Sequence, residues 1–233
     1  MEKFDIWDGQ IPGGQGEDGA PYLCYYPAEN KTTSATVLIF AGGGYSHRSV
    51  HEGEGYAEKL NSWGMDAFVL EYRVAPVRFP FPLLDARRAM RFIRDRAKDF
   101  GINPEKIAVM GSSAGGHLAA SAGILWDTPE VLAAMGDAPM GISRPDGMIL
   151  SYPVISSGKW AHRGSIANLV GKSDYSEEEG EKFSLEKHVT PATPPMFIWH
   201  TVTDTCVPVR NATLLIDAYL ENGLSFEHIR VVF

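Results

Sequence analysis

The segment Lys-Ile-Ala-Val-Met-Gly-Ser-Ser-Ala-Gly-Gly, residues 106–116, restricts the folds open to this chain more than any other stretch. An apolar run at 107–110 meets Gly111-Ser112-Ser113-Ala114-Gly115, and small, helix-compatible residues follow from His117. Gly-x-Ser-x-Gly between a strand and a helix is the pattern of a nucleophile elbow. Such a turn needs small residues at Gly111 and Gly115, because a β-carbon there collides with the strand or the helix. It lifts Ser113 out of the sheet with its hydroxyl exposed, which points to acyl transfer through a serine ester. By composition alone the pentapeptide arises by chance in about one chain in ten of this size. Its weight therefore rests on the strand–helix context and on partner segments elsewhere.

Those segments alternate along the chain. Apolar runs at 36–40, 67–72, 107–110, 147–151 and 195–200 read as strands, with 22–26 as an edge strand and 225–233 as the last strand. The run at 67–72 is continuous, as in a strand buried on both faces. Helices are expected at 55–63, at 117–125 and at 209–221. Another is marked by Leu83, Ala86, Met90, Ile93 and Ala97, which recur at intervals of three and four. Its other side carries Arg87, Arg88, Arg91 and Arg94, expected to form a solvated outer face. The alternation predicts one α/β domain over residues 1–233, with a mostly parallel sheet covered by helices on both faces. Residues 1–20 are expected to wrap the surface, and the long irregular stretch 153–194 to form a small cap over the site. Ligands in such sheets bind beyond the carboxyl ends of the strands. Ser113, the glycines after residue 40 and the loop after His200 all fall at that edge.

Bulk properties exclude several classes of function. A net charge of −8 without any Lys/Arg run argues against nucleic acid and anionic membranes as partners. Cys24 and Cys206 form neither a metal-ligand spacing nor a disulfide framework, so reduced thiols in a cytoplasm are expected. The N-terminal ten residues hold no signal-peptide apolar region, and no run reaches membrane-spanning length. No metal or other cofactor is called for.

A serine hydroxyl needs a base, a group that orients the base, and donors for the developing oxyanion. The turn Gly42-Gly43-Gly44 follows the strand at 36–40, where its backbone N–H groups can face a substrate unobstructed. Gly43 and Gly44, with the N–H of Ala114, are the expected oxyanion donors. Asp204, directly after an apolar strand and late in the chain, is the candidate acid. Asp174 and Asp217 are weaker rivals. No histidine falls where a triad base is expected. His228 lies inside the last strand, His117 packs under the elbow, His200 is placed to brace the acid loop, and His47 and His51 follow the glycines. Tyr45 and His162 are candidate substrate contacts, weighed against simple packing roles.

The chain resembles the α/β-hydrolase esterases of the acetyl-xylan and feruloyl esterase-like type, sometimes called sugar hydrolases. The resemblance rests on Phe40-Ala41-Gly42-Gly43-Gly44-Tyr45, His51-Glu52-Gly53-Glu54 and the elbow from Val109 to Leu118. It continues through His162-Arg163-Gly164-Ser165 and Thr193 to Thr201, to Asp204 and Val207-Pro208. It implies an α/β-hydrolase fold, with Ser113 as nucleophile, Asp204 as acid, and Gly43, Gly44 and Ala114 as oxyanion donors. The implied substrate is a small-molecule ester of carbohydrate type. Ala41 stands where the family has Pro or His. The family's Gly-His-Gly-type loop and closing helix are not found by residue 233. The expectation is therefore a base supplied from beyond it; for a chain that ends at residue 233, the expectation is instead a last strand whose bare edge favours homo-oligomers. The competing readings are a binding or regulatory protein on the same scaffold, and a peptidase or acyltransferase with the same triad.

Overall fold

Alternate residues of one short strand, Thr36–Phe40, set the architecture. All five are buried, yet they serve two different cores. Val37 and Ile39 pack with Cys24, Ala57, Ala67 and Val69, whereas Leu38 and Phe40 join the larger cluster around Phe68, Leu70, Met90 and Leu118. Successive strand side chains point to opposite faces, so such a strand must be covered on both sides. The computed structural model describes residues 1–135 and 140–231. Among them, β1 (Glu2–Asp5), β2 (Tyr22–Tyr26), β3 (Thr36–Phe40), β4 (Asp66–Glu71), β5 (Ile107–Ser112), β6 (Gly147–Ser151), β7 (Met196–Thr201) and β8 (Phe226–Val231) form one sheet. Its order is β1-β2-β4-β3-β5-β6-β7-β8. The pairs β1–β2 and β2–β4 are antiparallel, and every other pair is parallel. The helices are α1 (Val50–Ser62), α2 (Phe81–Asp95), α3 (Ser113–Ile124), α4 (Pro129–Met135), α5 (Arg163–Val170), α6 (Glu177–Glu181) and α7 (Arg210–Glu221).

The strand order reverses at β3. The chain steps from β3 to β4 on one side, and places β5 on the other. The carboxyl ends of β3 and β5 are thus neighbours, with Phe40 opposite Gly111. This is the switch point at which open α/β sheets form a crevice. It brings Gly42, Gly43 and Gly44 beside Ser113.

Helix α3 lies deep in the protein: every residue from Ala114 to Ile124 is buried. Glycine and alanine make this close approach feasible. A β-carbon on Gly123 would lie 2.3 Å from the sulfur of Met148, and one on Gly116 would lie 2.8 Å from Pro153.

The structure corrects four expectations. Residues 2–5 form an outer strand on β2, so β2 is not the edge. Helix α1 starts at Val50, well before residue 55, because Gly53 is a contact residue rather than a stop: a β-carbon there would sit 3.0 Å from Val69 Cγ1. The arginine face of α2 is not uniformly solvated. Arg87 is buried and donates to the Trp126 carbonyl, Arg88 donates to the Ile6 carbonyl, and Arg94 pairs with Asp146 at 2.9 Å. The stretch 153–194 contains α5 and α6 and is less irregular than its composition suggests. Of the last expected strand, residues 232 and 233 lie outside the described residues.

Candidate active site

At the end of β5 the backbone turns so sharply that Ser113 takes φ +53°, the left-handed region that side chains rarely adopt. Holding a non-glycine residue there costs on the order of 1–3 kcal/mol and persists only when the surroundings enforce it. The surroundings are two glycines. A β-carbon on Gly111 would lie 2.1 Å from the Gly115 carbonyl oxygen, and one on Gly115 would lie 2.1 Å from that of Phe40. Ser112 is fully buried, its hydroxyl 3.0 Å from Tyr56 Oη, whereas Ser113 is half-buried and lines a cleft.

The loop after β3 is held by its carbonyl groups. The Gly42 carbonyl accepts from Ser49 N–H at 2.9 Å. That of Gly43 accepts from Ser46 N–H at 3.0 Å and His47 N–H at 3.3 Å. That of Gly44 accepts from Asn168 Nδ2 at 2.8 Å. The N–H groups of Gly43 and Gly44 make no hydrogen bond among the described residues, although both glycines line the cleft. Ala114 follows Ser113 in the first turn of α3, where N–H groups have no intrahelical acceptor. The site thus presents free backbone donors around one serine hydroxyl.

Asp204 lines the same cleft. Its Oδ1 accepts from the N–H groups of Cys206 at 2.8 Å and Val207 at 2.9 Å, which leaves Oδ2 as its less committed oxygen. Oδ2 lies 3.6 Å from His200 Nε2. That nitrogen also sits 2.8 Å from the Val207 carbonyl, so it carries the proton and braces the acid loop. Asp174 and Asp217 are exposed and do not line the cleft.

The cleft has a volume of about 480 Å³ and a mostly apolar wall into which Ser46, Ser49, Tyr152, His162 and Asn168 set polar groups. His162 precedes α5, and its Nδ1 accepts from Ser165 Oγ at 2.8 Å and Ser165 N–H at 3.4 Å. The proton is therefore on Nε2, a donor on a residue that lines the cleft. Tyr45 is placed differently from the expected substrate contact. Gly43, Gly44 and Tyr45 take φ values of +133°, +64° and +58° in succession, and this turn drives the Tyr45 ring into the core. Tyr45 is 2% exposed, packs edge-on against Tyr72 and His117, and does not line the cleft.

The BD-FAE family matches residues 24–219. This chain belongs to the BD-FAE family. Endo-1,4-beta-xylanase B of Butyrivibrio fibrisolvens is 39% identical over 217 residues, which are 89% of this chain and 33% of the xylanase. Acetylxylan esterase of Xylanibacter ruminicola is 35% identical over 198 residues, 83% of this chain and 38% of the esterase. The BD-FAE chain thus spans about a third of the length of these curated relatives. The solved acetyl ester-xyloside bifunctional hydrolase of Caldicellulosiruptor lactoaceticus superposes with a TM-score of 0.88 at 38% identity, covering 100% of this chain and 86% of that one. The fold is that of an α/β-hydrolase, as the elbow and the alternating elements imply.

Among the described residues of this BD-FAE chain, no histidine is hydrogen-bonded to Ser113. His47 lines the cleft but its Nδ1 meets Ser46 Oγ at 3.1 Å, and His51 is exposed outside the cleft. His228 lies within β8, opposite Ile198. His117 is fully buried beneath the elbow. Its Nε2 donates to the Phe183 carbonyl at 3.1 Å, so its Nδ1 accepts from Tyr45 Oη at 2.9 Å. The described residues contain no group of three or more His, Cys, Asp or Glu side chains arranged to hold a metal ion. Nor do they contain a helix long and apolar enough to cross a membrane.

Burial lowers the His117 pKa to about 4. The unfolded chain takes up this proton below about pH 6.5, while the folded protein refuses it until about 4. The unfolded state therefore binds more protons in that window, and stability falls as the pH drops through it. At about 1.36 kcal/mol per pH unit, His117 should cost about 2 kcal/mol between pH 7 and 5. Burial also lowers His200, which adds in the same direction. Urea denaturation at the two pH values should show the loss, and His117→Gln should reduce it. An unchanged pH dependence in that variant would remove His117 from the account.

Sequence reasoning missed three residues that shape the site: Glu52, Tyr152 and Asn168. Glu52 sits inside one of the stretches that carry the family resemblance, which was a usable signal. Tyr152 takes φ +36°, and nothing in the sequence marks it for that conformation. Asn168 reaches the Gly44 carbonyl from another part of the chain, so no local pattern could show it.

Proposed function

We propose that the protein is a serine carboxylesterase that hydrolyses small-acyl esters of carbohydrate alcohols, with the stretch 153–194 as a cap. The observation that carries this reading is Ser113, held at φ +53° in a cleft that it shares with Gly43, Gly44 and Asp204. Relatives named as an acetylxylan esterase and an acetyl ester-xyloside hydrolase support the substrate class. Ser49, Asn168 and the His162 Nε2–H line the cleft as well and are suited to hydrogen-bond sugar hydroxyls.

In this reading Ser113 Oγ attacks the ester carbonyl carbon while its proton passes to the imidazole of a base histidine, which no described residue supplies, oriented by Asp204. The carbonyl oxygen becomes an oxyanion, met by the N–H groups of Gly43, Gly44 and Ala114. The bond to the alcohol oxygen breaks, the imidazole returns the proton, and the sugar leaves. Water then attacks the acyl-serine in the same way and releases the acid. Each oxyanion donor lowers the barrier by about 3 kcal/mol. Reduced Cys24 and Cys206 fit a reducing compartment, and we place the protein in the cytoplasm on that ground.

The test is to treat the intact protein with a fluorophosphonate, map the adduct by peptide mass, and measure acetate release from acetylated xylo-oligosaccharides. The expected result is a single adduct on Ser113 and acetate release that stops on labelling. An unlabelled Ser113 with no acetate release would overturn the esterase and favour a binding protein on this scaffold. Release from acyl peptides but not sugar esters would move the substrate class to peptides.

A further inference from the structure

The buried carboxylate of Glu52 stands beside the elbow and takes no part in the chemistry above. It is 8% exposed, lies in the first turn of α1 and lines the cleft with Ser113. Its Oε2 accepts from the Gly42 N–H at 2.7 Å, and its Oε1 accepts from Tyr152 Oη at 2.6 Å. Gly42 belongs to the loop after β3, and Tyr152 directly follows β6. In the sheet these strands flank β5, which carries the elbow. One carboxylate therefore spans the two loops on either side of Ser113. Space around it is filled: a β-carbon on Gly42 would lie 2.4 Å from Glu52 Oε2, 2.7 Å from the Ser112 carbonyl oxygen and 3.2 Å from Ser113 Cβ.

The tie has a second half on each side. The Gly42 carbonyl is held by Ser49 N–H at 2.9 Å, so both polar groups of Gly42 are fixed by the start of α1. The next two peptide N–H groups along the chain are those of Gly43 and Gly44, the free donors of the cleft. On the other side, Tyr152 N–H donates to the Trp199 carbonyl at 2.8 Å, and its ring packs edge-on against Trp199, whose Nε1 donates to Ser151 Oγ at 2.9 Å. Glycines supply no stiffness of their own. A glycine loop that must present N–H groups to a developing charge without reorganising needs an external anchor.

We infer that Glu52 is a positioning residue: its carboxylate clamps the Gly42 peptide to Tyr152 across the elbow and so fixes the Gly43 and Gly44 N–H groups on the oxyanion. This role rests on the serine-esterase reading. Both carboxylate oxygens are engaged, so Glu52 transfers no proton. A glutamine keeps an acceptor for Gly42 and places an amide against the Tyr152 hydroxyl, which can accept. An aspartate is one methylene too short to hold both partners. An alanine holds neither.

The test is steady-state hydrolysis of p-nitrophenyl acetate by the intact protein and its Glu52→Gln, Glu52→Asp, Glu52→Ala, Tyr152→Phe and Ser113→Ala variants. Thermal melts establish which are folded. The expected result for Glu52→Ala is a fall in kcat of roughly 10²-fold with KM changed less than threefold. Glu52→Asp should resemble Ala, and Glu52→Gln should recover most of the loss. Tyr152→Phe, which keeps the Gly42 bond, should lose about tenfold or less. If Glu52→Ala does not fold, the ordering of Gln, Asp and Tyr152→Phe carries the decision. A folded Glu52 series with parental kcat overturns the inference while leaving the esterase intact. So does a series that raises KM alone, since that is the behaviour of a substrate contact. Turnover surviving in Ser113→Ala would instead overturn the esterase reading, and this inference with it.

Discussion

Ester hydrolysis by the Ser113→Ala variant should fall by on the order of 10⁶-fold, the loss typical of removing a nucleophile from an assembled triad. The fold should be untouched, because the hydroxyl of a half-buried residue at the cleft is removed and no core contact goes with it. Alanine retains a β-carbon at φ +53°, so the backbone strain stays. Ser113→Gly separates the two effects. It should be as inactive as Ser113→Ala, yet more stable to urea than that variant by about 1 kcal/mol, since relief of strain outweighs the entropy of the added glycine. Initial rates on p-nitrophenyl acetate and paired urea melts decide both halves. Near-parental turnover in either variant would end the assignment. Equal stability of the two would mean that the elbow stores no strain.

Gly115→Ala should be among the most damaging single methyl groups in the protein. Its β-carbon would lie 2.1 Å from the Phe40 carbonyl oxygen and 2.7 Å from the Ala41 carbonyl carbon and oxygen, all backbone atoms. Flexible side chains can swing aside, but backbone in the centre of a sheet cannot. To admit the methyl group, α3 must move off β3, which also separates Ser113 from the Gly43 and Gly44 N–H groups. The expected loss is about 3 kcal/mol or more, with activity falling alongside. Gly55→Ala is the matching control. Gly55 lies within α1, its φ is not positive, and nothing lies within 4 Å of a β-carbon there. That change should stabilise by about 0.5–1 kcal/mol. Urea melts of the two variants should therefore move in opposite directions. A tolerated Gly115→Ala would mean that the elbow does not need its tight contact.

The local patterns that proved readable were those governed by local rules. The core strands β3 to β7 appeared as apolar runs because β3 and β4 are buried on both faces and β5, β6 and β7 are buried on one face and half-buried on the other, which leaves no fully solvated side to fill with charge. Helix α2 appeared through Leu83, Ala86, Met90 and Ile93, all of which are buried. The elbow was readable because its glycines are demanded by atoms only a few residues away, as the 2.1 Å approach of a Gly111 β-carbon to the Gly115 carbonyl shows. Reading failed where a local signal had a distant cause. The helix expected from residue 55 begins at Val50, and its Gly53 is small because Val69 of β4 presses on it. The arginines of α2 looked solvated, but Arg94 reaches Asp146, far along the chain. Tyr45 looked like a cleft residue from its place beside the glycines, but three successive left-handed residues turn it inward onto His117.

The sequence by itself therefore determined the alternation of strands and helices, the sharp turn at Ser113 and the free backbone donors of the glycine loop. Each follows from steric limits on a few adjacent residues. Only the tertiary structure decided which of these features meet. The reversal of strand order at β3 sets Phe40 opposite Gly111, and so brings the glycine loop to the serine. Folding also places Asp204 in the same cleft and sets the buried carboxylate of Glu52 between Gly42 and Tyr152, the latter 100 residues away from Glu52. Such meetings depend on how a whole sheet is wound, which no local pattern of residue types records.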